Sequence, residues 1–358
     1  MISYFLNKIT YAVLTLFGVV TVIFFLFNVL PGDPAQMMLG QNEDSEQLAR
    51  VKQKYGFDKP LSTQYAYYLN DLSPISYHLN NQSDYTYFNR DKYSGNELFS
   101  IGNGTIALKW PYLRESFTKQ GKKVSQVLAE TLPNTFVLAI SSITIAIIIG
   151  ILFGIISALY KDKWLDKTIQ IFSTLGMSVP SFFSAILFAW FFGYVLHEFT
   201  NLEMTGSLYE LDDFGEAMHI KWKNLILPAV VLGIRPLAVV IQLMRNSLLE
   251  VFNQDYIRTA RAKGLTEFQI IKKHAVKNAL NPVVTAISGW FASMLAGAVF
   301  VEYIFGWNGL GKEIVNALNT LDLPVIMGSV LIIALLFIII NIFVDIIYVW
   351  LDPKVKLQ

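Results

Sequence analysis

Six long stretches of this chain are apolar and almost free of charge: Ile9 to Leu30, Pro133 to Tyr160, Thr168 to Leu196, Leu225 to Leu249, Ala279 to Phe305 and Val325 to Leu351. Each reaches the length of about 20 residues that a helix rising 1.5 Å per residue needs to cross the hydrocarbon core of a bilayer. A water-soluble globule does not carry six such runs. The composition agrees, with 54% hydrophobic residues and only 15% charged, against roughly 25% charged in ordinary soluble domains. The first run follows Lys8 as a secretory signal would. Its apolar core is about twice the usual length, however, and no small-x-small cleavage site follows, so it reads as a retained anchor. The expected fold class is an all-α integral membrane protein with six transmembrane helices.

An even number of spans puts both termini on one side, and the basic residues choose which. Lys161, Lys163 and Lys167 lie between the second and third runs, six Lys/Arg lie between Asn253 and Asn278, and Lys354 and Lys356 lie in the tail. The opposite short loops, His197 to Asn224 and Glu302 to Pro324, hold only Lys221, Lys223 and Lys312 among several acids. Both termini are therefore expected in the cytoplasm. The segment from Pro31 to Gln126 falls on the outer side, and its mixed charge with many Tyr, Asn and Ser reads as a small folded cap. Inside it, Ser45 to Tyr55 predicts a short helix capped by Asp44 or Ser45 and ended by Gly56. The chain thus divides into a first transmembrane helix (1–30), an outer cap (31–126) and a five-helix core (127–358) with a cytoplasmic loop at 250–278.

Composition also excludes chemistry. A net charge of +1 gives no electrostatic case for nucleic acid. The absence of cysteine removes disulfides, thiolate metal sites and cysteine nucleophiles, and the four histidines are scattered without a zinc-binding spacing. No internal repeat is evident, which weighs against an inverted-repeat secondary transporter. No G-x-S-x-G or H-E-x-x-H motif supports a membrane enzyme.

The loop between the fourth and fifth runs is the most informative soluble stretch. Asp255 to Lys263 favours a helix with Gly264 as its C-terminal stop, and a second short helix starts at Thr266, with Thr266 as cap and Glu267 at its positive end. On the residues alone two readings stay open. The loop is a basic topology signal that touches anionic headgroups, or a surface knob gripped by a partner.

The run Tyr256-Ile-Arg-Thr-Ala-Arg-Ala-Lys-Gly264, followed by Asn278-Ala-Leu-Asn-Pro282, resembles the cytoplasmic E-A-A…G…P signature of binding-protein-dependent ABC importer permeases. More narrowly, it is similar to the D-Y-x-R-T-A-R-A-K-G form of the oligopeptide/dipeptide/nickel permease family. Leu30-Pro-Gly-Asp-Pro34, Leu132-Pro-Asn-Thr135, Ser178-Val-Pro-Ser181, Leu227-Pro-Ala229 and Phe305-Gly-Trp-Asn-Gly-Leu-Gly311 match that family in order. The match leaves out Leu72 to Trp110 and Glu198 to Lys221. Arg258 stands where the general signature has Glu, and Asn308 where the loop after the fifth span usually has Pro.

The resemblance implies a type I ABC importer permease, first-subunit type, in a bacterial cytoplasmic (inner) membrane. Its implied partners are a second homologous permease, two cytosolic ABC ATPase subunits, an extracytoplasmic solute-binding protein and the bilayer. ATP and Mg are used by the ATPases, and no cofactor is bound by this chain. Asp255, Tyr256, Arg258, Thr259, Ala260, Arg261, Ala262, Lys263, Gly264 and Pro282 are then the loop that couples to an ATPase. The implied solutes are di- or oligopeptides, with nickel chelates and glycans as alternatives.

No feature of the sequence supplies an energy source within the chain itself. Gly306-Trp-Asn-Gly-Leu-Gly-Lys312 fits the G-x-x-x-x-G-K part of a phosphate loop, but Glu313 replaces the Ser/Thr that meets magnesium and no strand precedes it. It is read as a decoy. Ion coupling needs intramembrane ionisable groups, and only Arg235, Arg245 and Asp345 qualify. Arg245 and Asp345 lie near the cytoplasmic ends of their runs and form a candidate pair. Arg235 sits near mid-membrane, roughly 16 Å along its helix, as a candidate for the translocation path or as an arginine satisfied within the protein, for example by the carbonyl that Pro236 frees. Small residues at Gly150 and Gly154, and at Gly289, Ser293 and Gly297, suit close helix contact within or between subunits.

Overall fold

The computed structural model describes residues 2–29, 35–36, 45–211 and 217–351, without the side chains of 1–7, 28–29, 54, 296–297 and 345–351. The Leu30-Pro-Gly-Asp-Pro34 motif, Asp44, Lys354, Lys356 and the side chain of Asp345 lie outside the described residues. In chain order the elements are α1 (Ile2–Val29), α2 (Ser45–Tyr55), α3 (Leu61–Leu72), β1 (Ile75–Leu79), β2 (Gly95–Ile101), β3 (Gly104–Lys109), α4 (Val124–Leu159), α5 (Trp164–Ser178) and α6 (Ser181–Trp190). They continue with α7 (His197–Thr200), β4 (Tyr209–Leu211), β5 (Met218–Ile220), α8 (Lys223–Phe252), α9 (Asp255–Ala262), α10 (Glu267–Ile270), α11 (Val276–Gly297), α12 (Val299–Phe305), α13 (Leu310–Asn319) and α14 (Leu323–Leu351).

Among the described residues four helices are long and apolar enough to cross a membrane, within α1, α4, α8 and α14, and the number rises to six if each of two bent pairs is one span. Two of the runs that sequence presents as single spans are therefore broken. Between α5 and α6 the axis turns by 110°. The cause is local: Pro180 has no N–H to donate and forces Val179 out of the helical region, and both are extended, with ψ of 130° and 140°. Between α11 and α12 the bend is 56°, at Ala298.

The chain forms two compact units. The first comprises residues 1–12, 131–315 and 333–358. Its core joins Leu138 and Ala139 of α4, Ala185 of α6, Val231 of α8, Leu295 of α11, Val301 of α12 and the fully buried Trp307. Gly150 and Gly154 settle one open question, because a Cβ on them would lie 2.7 Å from Val240 and 2.6 Å from the Met244 side chain. These glycines let α4 and α8 of one chain approach closely. Gly289, by contrast, has nothing within 4 Å of an added Cβ.

A buried ion pair ties three helices of this unit together. Arg245 on α8 donates from Nε to Asp166 Oδ1 at 2.7 Å and from Nη2 to Oδ2 at 2.6 Å. Asp166, on the first turn of α5, also accepts from Ser157 Oγ of α4 at 2.5 Å and from the Asp162 N–H at 2.9 Å. Among the described residues Arg245 thus pairs with Asp166, while the side chain of Asp345, the partner that the sequence offers for it, lies outside them. Asp166 offers both oxygens at the start of a helix, where its charge also meets the positive end of the helix dipole.

The second unit comprises residues 13–130 and 316–332. The α2 helix has the bounds that its pattern predicts, and Gly56 ends it at φ +71°. β1, β3 and β2 form an antiparallel sheet in that order. Fully buried Asp71 at the end of α3 organises the unit. It accepts from Tyr85 Oη at 2.6 Å, Tyr93 Oη at 3.0 Å and Arg114 Nε at 3.1 Å, while its carbonyl takes Lys109 Nζ at 2.5 Å. Asp322 plays a matching part at the N-terminus of α14, accepting from Ser116 Oγ, from the Phe117 N–H at 3.1 Å and from Thr118 Oγ1 at 2.8 Å.

Burial holds the Lys92 and Lys109 ammonium groups down to about 8, and raises the phenols of Tyr85 and Tyr93. The sign of the pH dependence follows. Between pH 8 and about 10 the unfolded lysines hold protons that the folded ones have released, so stability rises with pH. Above about 10 unfolded tyrosines ionise while the buried ones stay neutral, and stability falls. Hydrogen-exchange protection of residues 75–109 in the full chain, corrected for intrinsic exchange, is expected to pass through a maximum near pH 10. A monotonic fall from pH 8 would contradict this assignment.

Candidate functional site

The basic loop after α8 folds as two short helices around a glycine. α9 presents alternating faces: Ile257 and Ala260 are buried, while Asp255, Tyr256, Arg258, Thr259, Arg261, Ala262 and Lys263 are exposed. Gly264 follows at φ +79°, the left-handed stop that glycine adopts without a Cβ penalty, and an added Cβ would meet nothing within 4 Å. α10 then begins with a capping box, in which Gln269 N donates to Thr266 Oγ1 at 3.4 Å and Thr266 N to Gln269 Oε1 at 3.1 Å. Arg261 braces the turn by donating to both oxygens of Glu267, at 2.8 and 3.3 Å. Being exposed, this pair contributes at most about 1 kcal/mol.

Inside the pair, Ile257, Ala260, Ile270 and Ala275 join Leu248 and Met244 of α8 and Ala279 and Val283 of α11 in one buried cluster. Asn278 adds a tie, donating to Tyr256 Oη at 2.8 Å. Pro282 is exposed within α11. Of the ten residues that the sequence assigns to the loop's contact, Ala260 is therefore a buried anchor, whereas the other nine are exposed. Phe268, 72% exposed between Lys263 and Lys272, was not singled out by sequence. A large apolar ring at the tip of an otherwise charged turn is the signal that could have marked it.

At the other end of the first unit a second arrangement explains the decoy motif. Glu302, counted by sequence among the acids of an outer loop, is fully buried on α12. Its Oε2 accepts from the Gly311 N–H at 2.6 Å and the Lys312 N–H at 3.3 Å. The glycine-rich run is thus an anion nest whose anion is the chain's own carboxylate, at the N-terminus of α13. Gly311 is required there, because a Cβ would lie 2.5 Å from Val299 Cα and 2.9 Å from Glu302 Oε2. Lys312 Nζ turns back to the Gly306 carbonyl at 3.0 Å and to Asn308 Oδ1 at 2.8 Å.

The same loop holds the start of α4. Trp307 Nε1 donates to the Asn134 carbonyl at 3.0 Å, Asn134 Nδ2 to the Asn308 carbonyl at 2.7 Å, and Leu310 N to Thr135 Oγ1 at 2.8 Å. Two motifs far apart in sequence, Leu132-Pro-Asn-Thr135 and Phe305-Gly-Trp-Asn-Gly-Leu-Gly311, are one structure. The clue to Glu302 was an acid inside an apolar run, next to a glycine-rich stretch with free N–H groups.

Arg235 lies in the middle of α8, exposed, and has no hydrogen-bond or ion-pair partner among the described residues. The carbonyl freed by Pro236 does not take it. No group of His, Asp or Glu that could hold a metal occurs among the described residues.

Fold and site together define a polytopic helical membrane protein with an exposed basic helix pair rooted in its helix core. The family of binding-protein-dependent transport system inner membrane components matches residues 150–357, and the N-terminal family of the same membrane components matches residues 1–80. The dipeptide transport system permease protein DppB of Alkalihalophilus pseudofirmus is 32% identical, over 99% of this chain and 100% of that protein. The probable D,D-dipeptide transport system permease protein DdpB of Escherichia coli is 30% identical, over 96% and 94%. Among solved structures, an inward-facing MetNI methionine ABC transporter superposes with a TM-score of 0.50 at 18% identity, over 63% of this chain and 97% of that one, a likeness of fold. The chain belongs to the family of binding-protein-dependent transport system inner membrane components, the permease subunits of ABC transporters.

Proposed function

We propose that this chain is a permease subunit of an ATP-driven importer that carries di- and oligopeptides across a bacterial cytoplasmic membrane. In this reading each bent helix pair is one crossing, which makes six spans with both termini in the cytoplasm, and the segment 31–126 is the outer surface met by a solute-binding protein. Two cytosolic ATPase subunits bind and hydrolyse ATP with magnesium, and this chain binds neither. A second homologous permease completes the path. The single observation that carries the reading is the α9–α10 pair, whose outer face is charged and free while its inner face is rooted among α8 and α11. A push on such a knob moves long helices rather than a loose loop, as alternating access requires.

The peptide class is supported by the names of the two permeases at 30% and 32% identity. The test is copurification with a second permease and two ATPases, followed by ATP-dependent uptake over a panel of peptides, nickel chelates and glycans. Peptide uptake that requires ATP is expected, and a complex that carries only chelates or glycans would overturn the peptide class. Within it, Arg235→Gln is expected to lower uptake of a free-carboxylate dipeptide about tenfold, the effect of losing roughly 1.4 kcal/mol of attraction. Unchanged uptake by that variant would remove Arg235 from the path.

A further inference from the structure

The long helices of the first unit differ in what they expose. On α4 the exposed side chains include Ile140, Ile148 and Leu152, and on α14 Leu335, Phe337, Ile339 and Phe343, the apolar surface that lipid accepts. On α8 from Leu227 onward, and along α11, no large apolar side chain is exposed among the described residues. Their open faces are polar instead. On α8, Arg235, Gln242, Asn246 and Glu250 recur at intervals of seven, four and four residues, with Gln242 half-buried and the other three exposed. On α11, Asn278, Asn281, Thr285, Gly289 and Ser293 recur at three, four, four and four, all exposed. Such spacing makes each set one stripe on its helix, and the two helices pack against each other.

Amides and a guanidinium facing hydrocarbon would be unsatisfied at a cost of several kcal/mol, so these stripes face water or protein. Arg235 decides between the two. It has no partner among the described residues, and a cation at that depth needs water or an anion.

We propose that Arg235, Gln242 and Asn246 of α8 and Asn281, Thr285 and Gly289 of α11 form the water-facing wall of the solute path. The guanidinium takes the carboxylate of the passing solute. Side-chain amides and the hydroxyl both donate and accept, as peptide groups do, and so exchange hydrogen bonds with a peptide backbone whatever its side chains. Gly289 leaves room where the wall is open. This rests on the importer reading for the solute, while the exposure of the wall to water does not depend on it.

The chain has no cysteine, so a single introduced cysteine is the one thiol of this subunit, and its labelling is read on this subunit after separation from the others. Gln242→Cys, Asn246→Cys, Thr285→Cys and Gly289→Cys, with Leu152→Cys and Phe337→Cys as lipid-facing controls, are made in the complete transporter in membrane vesicles. Each is exposed to a charged, water-soluble methanethiosulfonate reagent. The wall cysteines are expected to react at least tenfold faster than the controls, at rates that change when ATP is added, and their modification is expected to block uptake. Equal rates in wall and control positions, or wall cysteines that stay unreactive with and without ATP because a second subunit seals them, would overturn the wall. Uptake of labelled dipeptide by the unlabelled complex tests the importer reading separately, so that wall cysteines reactive in a complex that moves no peptide would leave the wall and remove its solute.

Discussion

Gly264→Asp is expected to leave the permease in the membrane in normal amount and to abolish ATP-dependent uptake. The backbone at Gly264 has φ +79°, which Asp tolerates better than most residues, at a cost of about 1–2 kcal/mol. An added Cβ meets nothing in this chain, so the fold has no steric reason to fail. What changes is the surface: a carboxylate now stands at the tip of a turn flanked by Lys263 and Arg261. If that tip is buried in an ATPase groove, the uncompensated charge costs about 2–5 kcal/mol, and uptake falls roughly a hundredfold. Gly264→Asn provides the control, since it accepts the same backbone without the charge and should retain much of the activity. Uptake at the normal rate by Gly264→Asp would remove the coupling role, and loss of both variants from the membrane would show a folding role instead. The measurement is uptake per permease, with membrane content read by immunoblot.

The largest effect on stability is expected at Asp166. Replacing it by Asn leaves the Arg245 guanidinium, only 17% exposed, without its counter-charge in a site where Asp166 itself is 3% exposed. Breaking a buried pair from one side costs about 3–5 kcal/mol, because the remaining charge is still desolvated. The Ser157 and Asp162 donors also lose part of their acceptor, which loosens the junction of α4, α5 and α8. The purified variant should unfold at clearly lower temperature than the parent. Asp166→Leu combined with Arg245→Met should recover most of the loss, since no charge is then stranded. A single variant as stable as the parent would mean that water reaches the pair in the membrane.

Much of this was legible in one dimension. The apolar runs, the end of α2 at Gly56, the stop at Gly264 and the cap at Thr266 depend on residues within a few positions of each other. Local backbone preference and capping are decided at that range, and pattern reading captures them. The bend between α5 and α6 was equally local, and Pro180 was in view. Its geometry was missed because apolarity alone draws a straight span through any proline.

Short-range patterns thus establish that the chain enters a membrane, which end of each short loop helix carries which cap, and, through ordered motifs, the family. Tertiary structure alone decided the partners of the charges. Asp166 and Arg245 are 79 residues apart, and the carboxylate that fills the glycine nest comes from a neighbouring helix across a left-handed turn at Gly306. The physical reason is range. A helix cap or a stop is satisfied within one turn, but a buried charge is satisfied by whatever group packing brings within 3 Å. That choice rests on how several helices cross, so the same acidic letter stands for solvated surface, buried hub or anion plug until the chain is folded.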